Sequence, residues 1–113
     1  MNIAVIGSRT FNNQTLLNDE LSSFFERDDR LISGGARGAD EMAENWCRKQ
    51  GIECHIIRPD WNTHGRSAAF KRNHQIIGEA EMVIAFWDGQ SKGTKHSIDL
   101  AKAKGIQVEI CQF

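Results

Sequence analysis

The chain has 113 residues, of which 40% are hydrophobic and 26% charged, and a formal net charge of −1 with histidines neutral. This length supports one domain with a modest core and is too short for two. No apolar run could form a membrane-spanning helix, no leader pattern precedes the first strand, and the near-neutral charge argues against a strong nonspecific grip on nucleic acid.

Short apolar runs alternate with helical periodicity along the chain. The first strand is expected at Asn2–Ile6, followed by a helix with Leu17, Leu21, Phe24 and Phe25 on one face. A second strand at Arg30–Ser33 leads into a helix whose Ala39, Met42, Ala43, Trp46 and Cys47 form an i, i+3, i+4, i+7, i+8 stripe. Gly51 is a stop for it. After a third strand at Glu53–Ile57, Arg58 to Arg66 reads as one long irregular stretch, of the kind that is often functional when ordered. A third helix is expected from Ser67 to Gly78, with Ala69, Asn73, Ile76 and Ile77 on one side. A fourth strand at Glu81–Phe86, a helix from Thr94 to Lys104 stopped by Gly105, and a fifth strand at Gln107–Cys111 complete the chain.

Strands alternating with helices imply right-handed crossovers and a parallel sheet covered on both faces. The expectation is one α/β domain over residues 1–113, a Rossmann-like three-layer fold with a parallel five-stranded sheet. Three glycine-bearing loops follow strands: Gly7-Ser8-Arg9, Ser33-Gly34-Gly35-Ala36-Arg37-Gly38-Ala39-Asp40, and Trp87-Asp88-Gly89-Gln90-Ser91-Lys92-Gly93-Thr94. Ligands of open parallel sheets bind beyond the carboxyl ends of strands. A strand order of 3-2-1-4-5 would bring all three loops into one crevice.

Such loops suit an anion. Glycine permits close approach to bare N–H groups, and helix N-termini add unpaired donors and partial positive charge. Gly34, Gly35, Ala36 and Gly38 would form the cradle, with Arg37 as a planar charged fork. Ser8 and Arg9 are placed for anion contact, as are Lys92, Gly93 and Thr94 at the start of the last helix. Asp40 serves the helix dipole, or fixes Arg37, or meets a ribose hydroxyl. Asn73 sits on an otherwise apolar helix face and needs a partner. It and its neighbour Arg72 either touch the ligand or cap a loop. Trp61 and Trp87 are core or interface residues, with Trp87 also placed to stack on a base. Arg58, Arg66, Lys71, Arg72, Lys92 and Lys95 suggest a local basic pocket rather than a basic face.

Cys47, Cys54 and Cys111 are odd in number and lack metal-ligand spacing. They read as reduced structural thiols, consistent with a cytoplasmic location. The four histidines show no metal-binding pair, and no nucleophile elbow or Ser-His-Asp order is visible. No metal, cofactor or catalytic residue is therefore assigned.

The motifs Gly7-Ser8-Arg9, Ser33 to Asp40, Arg72-Asn73, Phe86-Trp87-Asp88-Gly89 and Ser91-Lys92-Gly93-Thr94, in this order, resemble the YspA-like branch of the SLOG superfamily. This Rossmann-like group includes the Lonely-guy phosphoribohydrolases and DNA-processing protein A. The resemblance spans nearly the whole chain and implies a nucleotide or nucleotide-derived ligand in the crevice. The group's hydrolases carry a doubled glycine before the Gly-Thr pair and a glutamate soon after it. Here Lys92 precedes Gly93-Thr94, and Asp99 lies too far along the helix to replace that glutamate. The leading expectation is thus a nucleotide sensor or sequestering module without chemistry. An N-glycosidic-bond hydrolase is the first alternative, with Asp40, Asp88 and Asp99 as its only candidate carboxylates. Single-stranded nucleic-acid binding through Trp61, Trp87, Lys92 and Lys95 is the second. The sheet's apolar edge leaves room for a homo-oligomer.

Overall fold

The structure is a computed structural model describing residues 1–113. Its strands are β1 (Asn2–Gly7), β2 (Arg30–Ser33), β3 (Glu53–Ile56), β4 (Met82–Trp87) and β5 (Gln107–Gln112). Its helices are α1 (Gln14–Phe24), α2 (Ala39–Lys49), α3 (Trp61–His64), α4 (Ala68–Glu79) and α5 (Lys92–Lys104), with a 3-10 turn at Gly65–Ser67 before α4. All strands pair in parallel in the order β3-β2-β1-β4-β5. The expected three-layer architecture and strand order are both present.

Period-two alternation divides the core. Ile3 and Val5 of β1, with Met82, Ile84 and Phe86 of β4, face a layer containing Leu17 and Leu21 of α1 and Ala39, Ala43 and Cys47 of α2. Ala4, Ile6, Val83 and Ala85 face the opposite layer, which holds Ile76 and Ile77 of α4 and Ile98 and Ala101 of α5. Both faces of β1 and β4 are therefore dry, which is why these strands read as continuous apolar runs.

Local chemistry sets the helix ends. Asn13 caps α1 by accepting from the Leu16 amide at 3.0 Å, and Gly105 closes α5 in the left-handed conformation. The helix expected from Thr94 begins two residues earlier, because Ser91 is its cap and accepts from the Thr94 amide at 3.4 Å. The stretch expected to be irregular contains α3. Asp60 nucleates that turn by accepting from the Thr63 amide at 3.1 Å, a capping signal that sequence periodicity alone does not weigh. At the far end of α4, Lys104 of α5 donates to the carbonyls of Ile77, Gly78 and Ala80 at 2.9, 2.9 and 2.8 Å. This cation satisfies the exposed C-terminal end of α4.

Candidate functional site

The loops after β1, β2 and β4 meet at the carboxyl edge of the sheet because those strands are neighbours. They are stitched together by their backbones. The Ser8 amide donates to Phe86 O at 2.9 Å, and the Asp88 amide reaches Ser8 Oγ at 3.4 Å. Gly38 has φ +80°, and a Cβ there would fall 2.6 Å from Ser8 O and 2.7 Å from Arg9 O. The second loop can lie against the first only because residue 38 has no side chain. Asp88 shapes the third loop by accepting from the Gln90 and Ser91 amides at 2.9 and 2.8 Å. Those bonds hold its carboxyl below the ordinary range.

A cleft of about 380 Å³ opens between these loops and the facing sides of α4 and α5. Gly7, Ser8 and Arg9 line it from the first loop, Ala36 and Asp40 from the second, and Gly93 and Thr94 from the third. Arg72 and Asn73 enter from α4. Nine of the sequence-selected residues thus share one wall-to-wall space. The Lys92 and Gly93 amides at the start of α5 have no acceptor within the chain. Asp88, Ser91 and Ser97 also line the cleft. Ser97 carries a faint sequence signal, one helical turn beyond Thr94 on the same face.

Asp40 and Arg72 dominate the electrostatics of the cleft. Asp40 is 6% exposed and accepts from the Ala36 amide at 3.4 Å. Burial pushes its carboxyl from the ordinary 3.8 up to about 6, although that amide and the nearby Arg72 and Arg9 charges pull the other way. The Arg72 guanidinium occupies the space over Gly34, donating through Nη1 to Gly34 O and through Nε to Asn73 Oδ1, both at 3.0 Å. Its pKa is lowered by burial, with Arg9 adding to the effect. Asn73 is 8% exposed and finds the partner its position demands, since its Nδ2 also lies 3.4 Å from His96 Nδ1.

A second cavity of about 330 Å³ adjoins the first, and Arg9, Ala36 and Arg72 line both. Gly34 and Gly35 lie here, with Arg58, Pro59 and Trp61.

Four selected residues line neither space. Arg37 is exposed, and its side chain makes no hydrogen bond. Gly38 packs beneath the first loop. Trp87 donates through Nε1 to Ser91 O at 3.1 Å and packs against the α4–α5 layer. Lys92 is exposed at the start of α5. Among the other candidate carboxylates, Asp99 is outside the cleft and pairs with Lys95 at 2.8 Å. No group of three His, Cys, Asp or Glu side chains could hold a metal ion, and no helix is long and apolar enough to cross a membrane.

A Rossmann-like domain with a polar cleft at the carboxyl edge of a parallel sheet is the class of protein that fold and site define. Within that class, YAcAr, the YspA, cpYpsA-related SLOG family, matches residues 1–64, which include the first two loops. The "Gene 61 protein" of Mycobacterium phage D29 is 33% identical over 115 residues, spanning 94% of this chain and 92% of that protein. The chain belongs to the YspA, cpYpsA-related SLOG family. The X-ray structure of DNA processing protein A (DprA) from Streptococcus pneumoniae has the same fold, with a TM-score of 0.77 at 18% identity. The match covers 96% of this chain and 49% of the DprA chain, so this protein spans about half the length of that structural relative. Family membership supports a nucleotide-related or nucleic-acid-related role in general terms.

Proposed function

We propose that the cleft binds a nucleotide or nucleotide-derived ligand through its phosphate, and that the protein acts as a sensor or sequestering module. The observation that carries this reading is the convergence of three loops with Arg9, Arg72 and the open Gly93 amide of α5 on one cleft. Two arginine forks and a helix N-terminus offer complementary donors to a phosphate ester. Calorimetry against a panel of nucleotides tests it, and no binding at millimolar ligand to a folded sample would refute it. Arg72→Ala is expected to weaken binding roughly ten- to a hundredfold, the worth of one charge-assisted hydrogen bond. Arg72→Lys restores only part of it, having no planar fork. Arg37→Ala is expected to bind like the parent, because Arg37 lines neither cavity.

A second reading has one observation in its favour. Asp40 is a buried carboxyl in the cleft with a pKa of about 6, a value suited to proton transfer near neutrality. In that reading Asp40 protonates or deprotonates the substrate during cleavage of an N-glycosidic bond. Release of free base from a nucleoside monophosphate, abolished in Asp40→Asn, would support it. Intact substrate after long incubation at high enzyme concentration would reject it.

A further inference from the structure

Trp61 is a large ring left 54% exposed on a surface that buries its other tryptophans more fully. Its position is not accidental to a loose loop. Asp60 caps the short helix α3 that carries it, and Arg58 ties the same segment to the second loop, donating through Nη1 to Gly35 O at 3.2 Å. The residue lines the second cavity together with Gly34 and Gly35, and that cavity shares Arg9, Ala36 and Arg72 with the phosphate-facing cleft. An exposed indole lining the same cavity as Arg58, in a space that shares Arg9 and Arg72 with the anion-facing cleft, matches an aromatic group attached to a phosphate.

We infer that the cavity between Trp61, Arg58 and the Gly34-Gly35 turn is a base subsite, in which a nucleobase stacks on the Trp61 indole while its phosphate occupies the adjoining cleft. The inference rests on the phosphate reading of that cleft and adds the part of the ligand that the cleft does not hold. Arg58 keeps N–H groups beyond the one given to Gly35, and these face base-edge acceptors or a ribose oxygen. Stacking of this kind tolerates different bases, since each has a π face. Arg58 and the Gly35 backbone would then decide between them.

The test compares two probes by calorimetry: ribose 5-phosphate, which has the phosphate without the base, and a set of nucleoside 5′-monophosphates. The parent is expected to bind a nucleoside monophosphate more tightly than ribose 5-phosphate. Trp61→Ala should weaken the nucleotide by roughly five- to a hundredfold and leave ribose 5-phosphate unchanged. Trp61→Phe should keep most of the nucleotide affinity. The side chain is more than half exposed, so neither variant removes core packing. Unchanged nucleotide affinity in Trp61→Ala, or an equal loss for both probes, would overturn the subsite while leaving the phosphate cleft standing. A parent that binds neither probe would overturn the cleft and the subsite together. Trp61-dependent capture of an oligonucleotide without any mononucleotide binding would also overturn it, in favour of a strand-binding surface.

Discussion

Asp40 shows how one residue can be set by surroundings that a sequence does not display. Its place in the first turn of α2 suggests an ordinary dipole-favouring carboxylate. In the fold it is buried at the wall of the cleft, and desolvation outweighs both the Ala36 amide and the nearby arginines. A carboxyl whose folded pKa is raised binds protons more tightly in the native state than in the unfolded state. Its contribution to stability is therefore fully present below about pH 3.8 and is lost as pH rises toward and through 6. The shift corresponds to a contribution on the order of 3 kcal/mol. Asp40→Asn should escape this loss. The stability difference between variant and parent, measured by urea unfolding, should move in favour of the variant between pH 4 and pH 7. No such movement would mean that Asp40 titrates in the ordinary carboxylate range. Arg37 and Arg72 make the complementary point. Arg37 adjoins the glycines in sequence yet is exposed and lines neither cavity, whereas Arg72, 38 residues from Gly34, bonds its carbonyl.

At the scale of elements, the glycines separate into those that let loops touch and those that leave space. Gly38 belongs to the first kind. Gly38→Ala combines a positive φ with a Cβ against the Ser8 and Arg9 carbonyls. The expected cost is at least about 1–3 kcal/mol, read as a lower thermal midpoint. Gly93 belongs to the second kind, since a Cβ there meets nothing within 4 Å, and it sits in the first turn of α5 at the cleft. Gly93→Ala should keep or slightly raise the thermal midpoint, because alanine is the better helix former by up to about 1 kcal/mol. Its methyl group should still weaken binding in the cleft by calorimetry. A variant with unchanged affinity would place the ligand away from α5. The Lys104 clamp on the end of α4 belongs to this scale too. It fixes the helix that presents Arg72 and Asn73 to the cleft.

For the whole molecule, the cleft is walled by loops of three strands and by two helices, so a bound ligand bridges elements that unfold together. Ligand binding should therefore stabilise the fold by mass action. At a hundredfold excess over Kd the gain is about 2.7 kcal/mol, equivalent to a rise of roughly 10 °C in thermal midpoint for a domain of this size. A nucleotide that binds by calorimetry without raising the midpoint would be binding the unfolded chain as well, which a site assembled from five elements of the fold does not allow. The same layered build explains the buried position of Asn73. It lies where α4 meets α5, and its amide joins Arg72 to His96 across that seam.

The alternation of apolar runs and helical stripes was sufficient to define the parallel three-layer fold, because burying both faces of β1 and β4 leaves a distinct mark on residues 3–6 and 82–86. The strand order was legible only through the expectation that the glycine-bearing loops after β1, β2 and β4 share one crevice: Gly7 ends β1, Gly34 and Gly35 follow β2, and Gly93 lies in the first turn of α5. Three things were decided only by the tertiary structure. Asp60 capping made a helix of the stretch before α4 and set Trp61 beside a cavity. Packing turned Trp87 inward, its indole bonded to Ser91 O. The facing of α4 delivered Arg72, rather than Arg37, to the cleft. Periodicity records which face of an element is dry, but the direction of a polar side chain at a loop or a helix edge depends on neighbours far away in the chain.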